Sequence, residues 1–470
     1  MTYEKKGELC QGKTKVLWEV KDNPDLVIVE NKADITAFDD PSYTKQFAAK
    51  AKYATSTTCR VFELLKDCGV PVAYVKQISE TEFLAPKVEM IPLECIARRL
   101  AVGSYLKRRP DNATKEGQKP KRFHRLVFEI FLKTGGGGIL KKNEQIIVDG
   151  LPKDENDKQV EDPYMEIPND NPECKLYHPK KPLWDSSAYL NKTVDFTQIM
   201  MPANTNPAAD IAPITPDQSL ETSKQYLQEL EKLTRQVFLI LENAWSQSGY
   251  LLVDFKLEFG WTAEGKLVVA DVIDNDSWRL RDPEFQEISK QVFRDGKPLD
   301  EVEAKYGHVA DLVSRFRLPK QGLVIWRGSD SDNFPELPGY DLVKQDMIPG
   351  VKKVEVTMSA HKKTNLALIK LEEVQREFPD GGVVIAEVGM SNGLGPVMAA
   401  HTSWPVISRP ADESFPEDVW SSLRTPSKNP MATILSPKNA VLYALNILAQ
   451  KNPAVYMMRR YEIEELDTDY

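Results

Sequence analysis

The sequence predicts a protein of the α/β class with two domains: an N-terminal α+β domain with antiparallel sheets, and a C-terminal three-layer α/β domain with a parallel sheet. The first observation is length, because 470 residues exceed what one hydrophobic core usually organises. The second is the strict alternation of apolar and polar residues in LVDFKLEFG, residues 252–260, which a second strand-like run follows after a turn at Gly265. The third is a series of short apolar runs beyond residue 321. These runs end in Gly- and Ser-rich loops and alternate with helical segments, which is typical of a parallel sheet.

Composition argues against several classes of protein. Hydrophobic residues make up 41% of the chain and charged residues 28%, which are ordinary values for a soluble globular protein. The net charge of -9 and the pI near 5.4 argue against binding to nucleic acid or to a membrane surface. Five cysteines without a CxxC pair indicate a reducing compartment, and no apolar run approaches the roughly 18 residues of a membrane span. We therefore expect a cytosolic protein without nucleic-acid or membrane partners.

The N-terminal domain is predicted over residues 1–316. Near its start, VLWEV and LVIVE are rich in β-branched and aromatic residues and are typical of strands. The segment KQFAAKAKYATSTTCRVFELLKDCG is typical of a helix that stops at Gly69. Another helix is predicted to begin at Pro216 and to carry a leucine stripe towards Trp245, where plain core packing explains the pattern.

Between these elements, residues 134–214 have a different character. They are rich in Pro, Asn, Asp and Lys and show little apolar periodicity. We expect a long, partly disordered insertion with little core burial, largely dispensable for folding except near Lys153 to Asp157. The segment FRLPKQG is predicted to supply a linker over residues 317–321, followed by the second domain over residues 322–470.

Basic residues occur at two notable places in the first half. In QGKTKVLWE, Lys13 and Lys15 are two apart, so on a strand both ammonium groups would project from one face, where phosphate oxygens could bind. In IPLECIARRLAVGSYLKRR, Arg98 and Arg99 precede Gly103, and an arginine fork binds carboxylate or phosphate in a bidentate manner. The alternatives are a solvated strand at the first place and a solvated basic face at the second.

The predicted hairpin carries many carboxylates beside lysine. Its second strand ends in ADVIDNDSW, which contains Asp271, Asp274 and Asp276. Such carboxylates can hold a divalent cation against nucleotide phosphates, and magnesium needs only one or two of them. Asp271 and Asp274 have opposite parity on a regular strand, so both can be ligands only if the strand has ended or bulged by Asp274. The alternative is a salt-bridged pair of strands.

Together these stretches resemble known enzymes. LVDFKLEFG, IPLECIARRLAVGS and ADVIDNDSWRL are similar to the diagnostic segments of phosphoribosylaminoimidazole-succinocarboxamide synthetases. GSDSD, SAHK and SNGLGPVM, in that order, resemble phosphoribosylaminoimidazole carboxylases. The presence of both halves in one chain, in this order, resembles the bifunctional enzyme family of animal purine synthesis. The resemblance covers roughly residues 9–133 and 215–450.

The resemblance implies a relay of two reactions. The second domain would add carbon dioxide to aminoimidazole ribonucleotide without ATP or biotin. The first domain would activate the new carboxylate with ATP and Mg²⁺, and aspartate would then displace phosphate. In the synthetase half, the residues implied to bind ATP are Lys13, Lys15, Lys256 and Glu258. The residues implied to bind the ribonucleotide are Arg98, Ser104, Lys290 and Arg294, and the implied metal ligands are Asp274 and Asp271.

In the carboxylase half, the implied catalytic residues are His361, Lys362 and Ser391. His361 would move the proton at the ring carbon that is carboxylated, a task that suits an imidazole because it titrates near neutrality. The residues implied to bind substrate are Gly328, Ser329, Ser331, Asp332, Ser359, Asn392 and Gly393. The first four would cradle the ribose phosphate, and Ser391 to Gly393 would form the carbon dioxide pocket. The resemblance also implies a homo-octamer assembled through this domain. Without the resemblance, the alternative for His361 is a surface histidine or one whose hydrogen bonds are satisfied within the fold.

The sequence departs from the family pattern at several places. The usual HKGPD is replaced by HKKTN from His361 onward, and the usual arginine before SNGLGP is Met390. Pro335 and Pro338 interrupt the segment after GSDSD, where the family has a helix. In the synthetase half, the usual lysine–aspartate–aspartate segment after EIFLK is replaced by KTGGGG, and residues 153–155 are one candidate to supply it. A synthetase whose second domain is only an oligomerisation scaffold is therefore an alternative hypothesis, and a nucleotide-binding protein without turnover is a third.

Overall fold

The described part of the chain forms two compact units in this computed structural model. Unit 1 comprises Met1–Phe316 with Glu464–Tyr470, and unit 2 comprises Arg317–Ile463. The sequence predicts that the chain's end belongs to the second domain, whereas its last described residues group with unit 1. The residues that the structure describes are 3–12, 14–36, 44–46, 49–134, 140–142, 145–154, 158–167, 171–201, 216–289, 293, 297–330, 348–410 and 416–466.

Unit 1 is built mainly from antiparallel strands. Its strands are β1 (Lys5–Gln11), β2 (Lys15–Val20), β3 (Asn23–Asn31), β4 (Asp34–Thr36), β5 (Thr44–Gln46), β6 (Lys76–Gln77), β7 (Glu82–Pro86), β8 (Glu89–Met90), β9 (Leu93–Leu100), β10 (Arg122–Leu132), β11 (Leu140–Lys142), β12 (Gln145–Val148), β13 (Tyr164–Glu166), β14 (Glu173–Tyr177), β15 (Tyr189–Asp195), β16 (Leu251–Trp261), β17 (Leu267–Ala270) and β18 (Trp278–Arg281). Its helices are α1 (Lys50–Asp67), α2 (Ser104–Arg108), α3 (Phe196–Met200), α4 (Pro216–Gln247) and α5 (Leu299–Ser314).

Two sheets organise this unit. A five-stranded sheet has the order β1-β2-β3-β7-β6, and a nine-stranded sheet has the path β15-β14-β13-β10-β9-β16-β17, with β8 and β18 also paired to β16. The predicted α+β fold with antiparallel sheets is confirmed. Helix α4 begins at Pro216, as the sequence predicts. It packs on β9 and β16, and the rings of Phe238 and Phe255 meet at 5.4 Å.

The alternation in β16 separates an apolar face from a charged one, as predicted. Val253, Phe255, Leu257 and Phe259 are all buried, at 1% exposure or less. Among them Phe255 packs on Phe238 of α4, and burying such side chains is the main favourable term in folding. The charged residues between them project from the opposite face of the nine-stranded sheet. That face carries the candidate site of unit 1.

The prediction of a weakly packed insertion over residues 134–214 is wrong for the part of the segment that the structure describes. Strands β13, β14 and β15 extend the nine-stranded sheet beyond β10. The segment's buried apolar side chains are Val148, Leu151, Val160, Met165, Cys174, Leu176, Ala188, Leu190, Val194, Phe196, Ile199 and Met200. Each strand is short and separated from the next by polar turns, so the alternation never runs long enough to be recognised. We therefore do not expect these strands to be dispensable.

Unit 2 has the predicted parallel sheet with helices on both faces. Its strands are β19 (Gln321–Arg327), β20 (Val351–Thr357), β21 (Gly382–Val388), β22 (Val406–Pro410) and β23 (Ala432–Thr433), in the order β20-β19-β21-β22-β23. Its helices are α6 (Thr364–Glu377), α7 (Leu394–His401), α8 (Trp420–Leu423), α9 (Pro437–Leu448) and α10 (Pro453–Glu465).

The faces of this sheet carry separate cores, which confirms the three-layer prediction. One core joins Val384 and Ala386 of the sheet to α6 and α7, and the other joins Val383 and Ile385 to α9. Alternate residues of β21 thus enter different cores, and both faces are apolar, as expected for a covered parallel sheet. Among the helices that the structure describes, none combines the length and apolar character that a membrane span requires.

Candidate active sites

Lysines and carboxylates from three strands meet on the charged face of unit 1. Lys256 Nζ lies 2.9 Å from Glu94 Oε1 on β9 and 3.0 Å from Glu258 Oε1 on its own strand. Lys133, just after β10, donates to both carboxylate oxygens of Glu258 at 2.6 Å. Because β9, β10 and β16 are neighbours in the sheet, residues far apart in sequence converge here. We call Lys15, Lys133, Lys256, Glu258 and Asp271 the lysine–carboxylate cluster.

Residues 271–277 form a loop between β17 and β18, which we call the acid-rich loop. It lies beside this cluster because both flanking strands pair with β16. β17 pairs with the second half of β16 and β18 with the first half, so the returning chain leaves the ladder over residues 271–277. The amide of Lys256 donates to the carbonyl of Ser277 at 2.8 Å, which fixes the loop opposite this lysine. Asp271 follows the end of β17 with a φ of 65°, so the strand has ended before Asp274, as the two-ligand hypothesis requires.

Lys15 at the start of β2 reaches the same place. Its ammonium forms an ion pair with Asp271. Burial is the main reason that the pKa of Lys15 falls to about 8, with Glu258 acting in the opposite direction and Lys256 in the same direction. Burial alone would raise the pKa of Glu258, but Lys256 and Lys133 lower it to about 2. Glu258 is therefore ionised at neutral pH, whereas Lys15 begins to lose its proton slightly above neutral pH.

Asp274 and Asp276 form the base of the acid-rich loop. The amide of Asp276 donates to Asp274 Oδ1 at 2.8 Å, and Lys50 Nζ lies 3.4 Å from Asp276 Oδ2. Burial by itself lowers the pKa of Lys50, but Asp276 and Asp274 outweigh it, so this pKa is raised. Among the described residues, no three His, Cys, Asp or Glu side chains converge as a ligand set. Asp274 and Asp271 are carboxylates of the type that can hold magnesium together with substrate phosphates, and Asp271 is paired with Lys15.

A second charged group on the same face of the sheet is an arginine–carboxylate network, defined as Arg98, Arg108, Glu129, Asp254 and Arg279. Arg98 Nε lies 2.6 Å from Glu129, and its Nη1 lies 2.5 Å from Asp254. Arg108 contacts Glu129 at 2.7 Å, and Arg279 contacts Asp254 at 2.9 Å. Burial alone would raise the pKa of Glu129, but Arg98 and Arg108 lower it. Three guanidinium groups face two carboxylates, so the network has a net charge of +1 and suits an anion.

Arg98 and Arg99 are adjacent on β9 and point to opposite faces of the sheet, so of the two only Arg98 lies at the candidate site. The partner of Arg98 at the candidate site is Arg279, which sequence reasoning missed. A side chain at Gly103 would lie 2.8 Å from Cζ of Arg279, and this glycine has a φ of 61°. Glycine thus leaves room for the guanidinium beside Ser104, the first residue of α2. Arg98 is buried, whereas the side chain of Arg279 retains 20% exposure.

In unit 2, the sequence-predicted loops meet at the carboxyl end of the sheet. His361 follows β20 and Gly393 follows β21, and these strands flank β19 on either side. A Cβ at Gly393 would lie 2.5 Å from Cε1 of His361, so the imidazole occupies space that only glycine leaves open. The contact spans the end of β19, where Gly328 begins the predicted phosphate loop. His361 and Ser391 are both exposed and thus accessible to substrate.

Other predicted residues of unit 2 hold the loops in shape. Asn392 is buried and donates to the hydroxyls of Ser408 and Ser422, each at 2.9 Å, while its Oδ1 accepts from the amide of Gly395. Both amide hydrogens are therefore engaged, and Asn392 anchors this loop to Ser408 and Ser422. The hydroxyl of Ser359 accepts from the amide of Lys362 at 3.2 Å, at the turn before α6.

A buried charge group at the same sheet edge was not predicted. Arg327, Glu387 and Arg409 are in register on β19, β21 and β22, and Arg409 Nε lies 2.7 Å from Glu387. Nε of Arg327 is buried without a hydrogen-bond partner among the described residues. Met390, which stands where the family pattern has arginine, is 70% exposed. Cationic side chains therefore lie beside the predicted phosphate loop, although Met390 carries no charge.

Several expectations fall outside the described residues: Lys13, Lys290, Arg294, Ser331, Asp332, Glu155, Pro335 and Pro338. Within the described chain, the sequence also missed Lys133, Glu94 and Lys50. Lys133 is the last residue of EIFLK and contacts Glu258. Asp154 accepts a hydrogen bond from the amide of Lys158 in its own turn. No periodicity could have found Glu94 or Lys133, because only strand pairing brings them together.

Comparisons with known proteins match both halves. A family model described as SAICAR synthetase matches residues 8–169 and 197–312, and one described as AIR carboxylase matches residues 323–465. The "Probable multifunctional protein ADE2" of Caenorhabditis elegans is 34% identical, over 95% of this chain and 91% of that protein. Bifunctional phosphoribosylaminoimidazole carboxylase/phosphoribosylaminoimidazole succinocarboxamide synthetases are 32% identical in Rattus norvegicus, over 96% and 92%, and 30% identical in Homo sapiens, over 97% and 93%.

Proposed function

Because the chain belongs to the bifunctional family that joins a SAICAR synthetase to an AIR carboxylase, we propose that each unit performs the reaction its family model names. Unit 2 carboxylates aminoimidazole ribonucleotide with carbon dioxide. Unit 1 then ligates aspartate to the new carboxylate with ATP and gives the succinocarboxamide ribonucleotide. Both are steps of de novo purine biosynthesis.

The observation that carries the synthetase assignment is that two charged groups share one face of β16. Asp254 belongs to the arginine–carboxylate network, and Lys256 and Glu258 belong to the lysine–carboxylate cluster. The network, with Arg279 and Ser104 at its accessible edge, suits the anionic ribonucleotide. The lysines of the cluster suit ATP phosphates. The residues of one strand thus hold both reactants side by side, which is what a bimolecular transfer requires.

The reaction itself needs no enzyme nucleophile. An oxygen of the substrate carboxylate attacks the γ-phosphorus, the bond to the bridging oxygen breaks, and ADP leaves. The aspartate amine then attacks the acyl carbon, phosphate leaves with the bonding electrons, and the nitrogen loses its proton to water. Lys15, Lys256 and Lys133 neutralise charge on the transferring phosphoryl group. Asp274 and Asp271 would hold magnesium, which supplies further charge neutralisation when bound.

In unit 2 we assign proton transfer to His361. The ring carbon of the substrate attacks carbon dioxide, forming a carbon–carbon bond, and the proton of that carbon then passes to the imidazole. The contact between His361 and Gly393 supports this role because it brings the proton acceptor to the loop proposed to hold carbon dioxide. Lys362 and Ser391 are proposed to contact the carboxylate that forms.

Assembly through unit 2 is also proposed. Large apolar side chains exposed on this unit include Leu366 and Ile369, one turn apart on α6, and also Trp420, Leu423, Leu435 and Tyr443. Exposed apolar groups of this kind are typical of surfaces that bind other chains. They support the homo-octamer implied by the resemblance, which sedimentation of the whole chain tests. A cytosolic location is proposed with it.

Separate assays of the two reactions test the proposed function. With purified whole chain, ATP should be hydrolysed only when aspartate, the carboxylated ribonucleotide and Mg²⁺ are all present, and EDTA should stop the reaction. Carboxylation should be followed independently, from the ribonucleotide and bicarbonate without ATP or aspartate. Absence of carboxylation together with normal synthetase turnover would favour the scaffold hypothesis for unit 2.

The pKa of Lys15 gives the synthetase a predictable pH dependence. Lys15 is protonated below its pKa of about 8, so its attraction for ATP phosphates is lost as the pH rises through that value. We expect kcat/KM for ATP to fall above pH 8 in the wild type. In Lys15→Arg the fall should be absent up to pH 9, since a guanidinium stays charged throughout this range. Lys21→Arg, an exposed lysine at the far end of the same hairpin, is the matched control and should keep the wild-type profile. An identical fall in Lys15→Arg would contradict the assignment.

A further inference from the structure

We infer that Glu464, near the end of α10, is a positioning residue of the synthetase reaction. It belongs to unit 1 although it lies close to the end of the chain. It binds the side of β9 and β10 opposite the candidate site and thereby fixes the strands that present Arg98 and Glu129. This inference rests on the proposed function of unit 1 and adds a residue to it that lies outside the ranges matched by the synthetase family model.

The first observation is a buried charge cluster on the α4 side of the sheet, defined as Arg99, Arg235, Glu242 and Glu464. Arg99, Arg235 and Glu464 all have 0% exposed side chains. Arg99 donates to Glu242 at 2.7 Å and 2.9 Å and to Glu464 at 2.6 Å. Arg235 on α4 donates to the other oxygen of Glu464 at 3.2 Å. Arg99 thus lies between the carboxylates of Glu242 and Glu464, and Arg235 pairs with Glu464 and with the partly exposed Glu465.

The second observation is an irregularity in β10 that this cluster completes. The pairing of β10 with β9 shifts between Arg122 and Val127, so backbone groups there leave the regular ladder. The amide of Leu126 donates to Glu464 Oε2 at 3.2 Å, and Arg99 Nη1 donates to the carbonyls of Phe123 and His124 at 3.2 Å and 2.6 Å. Buried backbone groups without partners are costly, so Glu464 and Arg99 stabilise this bulge directly.

These contacts lie directly behind the arginine–carboxylate network. Arg99 adjoins Arg98 on β9, and Leu126 is three residues before Glu129 on β10. Burial alone would lower the pKa of Arg99, but Glu242 and Glu464 outweigh it and the pKa is raised, so the guanidinium stays charged. Without the Glu464 carboxylate the buried Arg99 would lose one of its two acidic partners and the amide of Leu126 would lose its acceptor, so we expect the bulge to relax. Such a shift changes the separation of Arg98 and Glu129 on the opposite face.

The experiment compares Glu464→Gln and Glu464→Asp with the matched control Glu462→Gln in the whole chain. Glu462 lies on the same helix and pairs with Arg459 at an exposed position, so it shares the charge change without the buried contacts. In Glu464→Gln we expect KM for the carboxylated ribonucleotide to rise roughly tenfold, as a loss of about 1.4 kcal/mol would produce. KM for ATP should change by less than about twofold, since the lysine–carboxylate cluster is not touched. Glu464→Asp, which keeps the charge, should recover part of the loss, and carboxylation should be unchanged.

Each outcome decides between roles. Equal changes in KM for all three substrates, or a lowered Tm with unchanged KM, would show a merely structural contact and overturn the inference. If Glu464→Gln yields no soluble protein, Glu464→Asp is assayed in the same way, because it keeps the charge but shortens the side chain that reaches Arg99 and Leu126. Wild-type KM for the ribonucleotide in that soluble variant would then overturn the inference. Lack of synthetase turnover in the wild type would contradict the proposed function instead.

Discussion

Replacement of His361 by asparagine should abolish carboxylation while leaving the synthetase reaction intact. The substitution removes the only group at this loop that we propose to accept the ring proton, and it is close to isosteric. General acid–base catalysis contributes roughly a hundred- to ten-thousand-fold, so the fall in kcat should be of that order or larger. Synthetase turnover, assayed with carboxylated ribonucleotide supplied, should keep the wild-type rate because its groups belong to unit 1. The proposed oligomer should also persist, since His361 is exposed in a loop.

The matched control is His401→Asn. His401 lies at the end of α7, is exposed, and hydrogen-bonds only locally, to the carbonyl of Val397 at 2.8 Å, in the contacts described here. Carboxylation should survive this change, and a comparable loss in both variants would contradict a specific role for His361. If the wild type itself lacks carboxylation, the altered loop is the suspected cause. Met390→Arg combined with Lys363→Gly and Thr364→Pro then tests the scaffold hypothesis, since restored turnover would show that the rest of the site is competent.

The sequence predicted the part of the candidate site of unit 1 that lies on β16 and on the hairpin that follows it. The alternation of β16 placed Lys256 and Glu258 on a single polar face, and the hairpin placed Asp271 near them. Only the resemblance to the family predicted that Lys15 belongs to the same site. Lys133 and Glu94 were missed because their proximity to Glu258 depends on which strands are neighbours, and periodicity reports the face of a residue but not the partner of a strand.

Arg98 and Arg99 are neighbours on a strand and point to opposite faces, so one arginine serves the site and the other the core. One interpretation, that of residues 134–214, failed for a physical reason. The segment over residues 134–214 was judged by its composition. Its strands are three to seven residues long in β13 to β15, and their burial comes from pairing with β10 rather than from any long apolar stripe. Short strands of this kind lack a pattern strong enough to outweigh polar turns.

Unit 2 shows a different limit. The carboxyl-end loops of a parallel sheet were expected to meet, and His361 and Gly393 do so. The sequence could not show that the side-chain amide of Asn392 donates to the hydroxyls of Ser408 and Ser422, because those residues belong to later elements of the chain. A residue of a sequence motif can therefore contribute to the geometry of a loop. The type of the residue indicates that a site is near, but it does not identify the groups that the side chain contacts.

The largest effect in unit 1 should come from Arg98→Met, and it should differ in kind from that of Arg279→Met. Arg98 is 1% exposed and pairs with both Glu129 and Asp254, so its loss leaves two buried carboxylates short of a partner. Removing one partner of a buried ion pair costs roughly 3–5 kcal/mol, a large share of the stability of a typical domain. We expect Arg98→Met to lower Tm markedly and to abolish synthetase turnover.

Arg279→Met should instead separate binding from folding. Asp254 keeps Arg98 as a partner, and the side chain of Arg279 is 20% exposed, so the free energy of unfolding should change little. Loss of a charge-assisted contact to the ribonucleotide costs about 1.5–3 kcal/mol, which corresponds to a roughly ten- to hundredfold rise in its KM. Arg281→Met is the matched control, because Arg281 lies two residues further along β18 and pairs with Glu287 at 2.5 Å. Unchanged ribonucleotide KM in Arg279→Met would remove this arginine from the site, and a Tm as low as that of Arg98→Met would show that both arginines act through the fold.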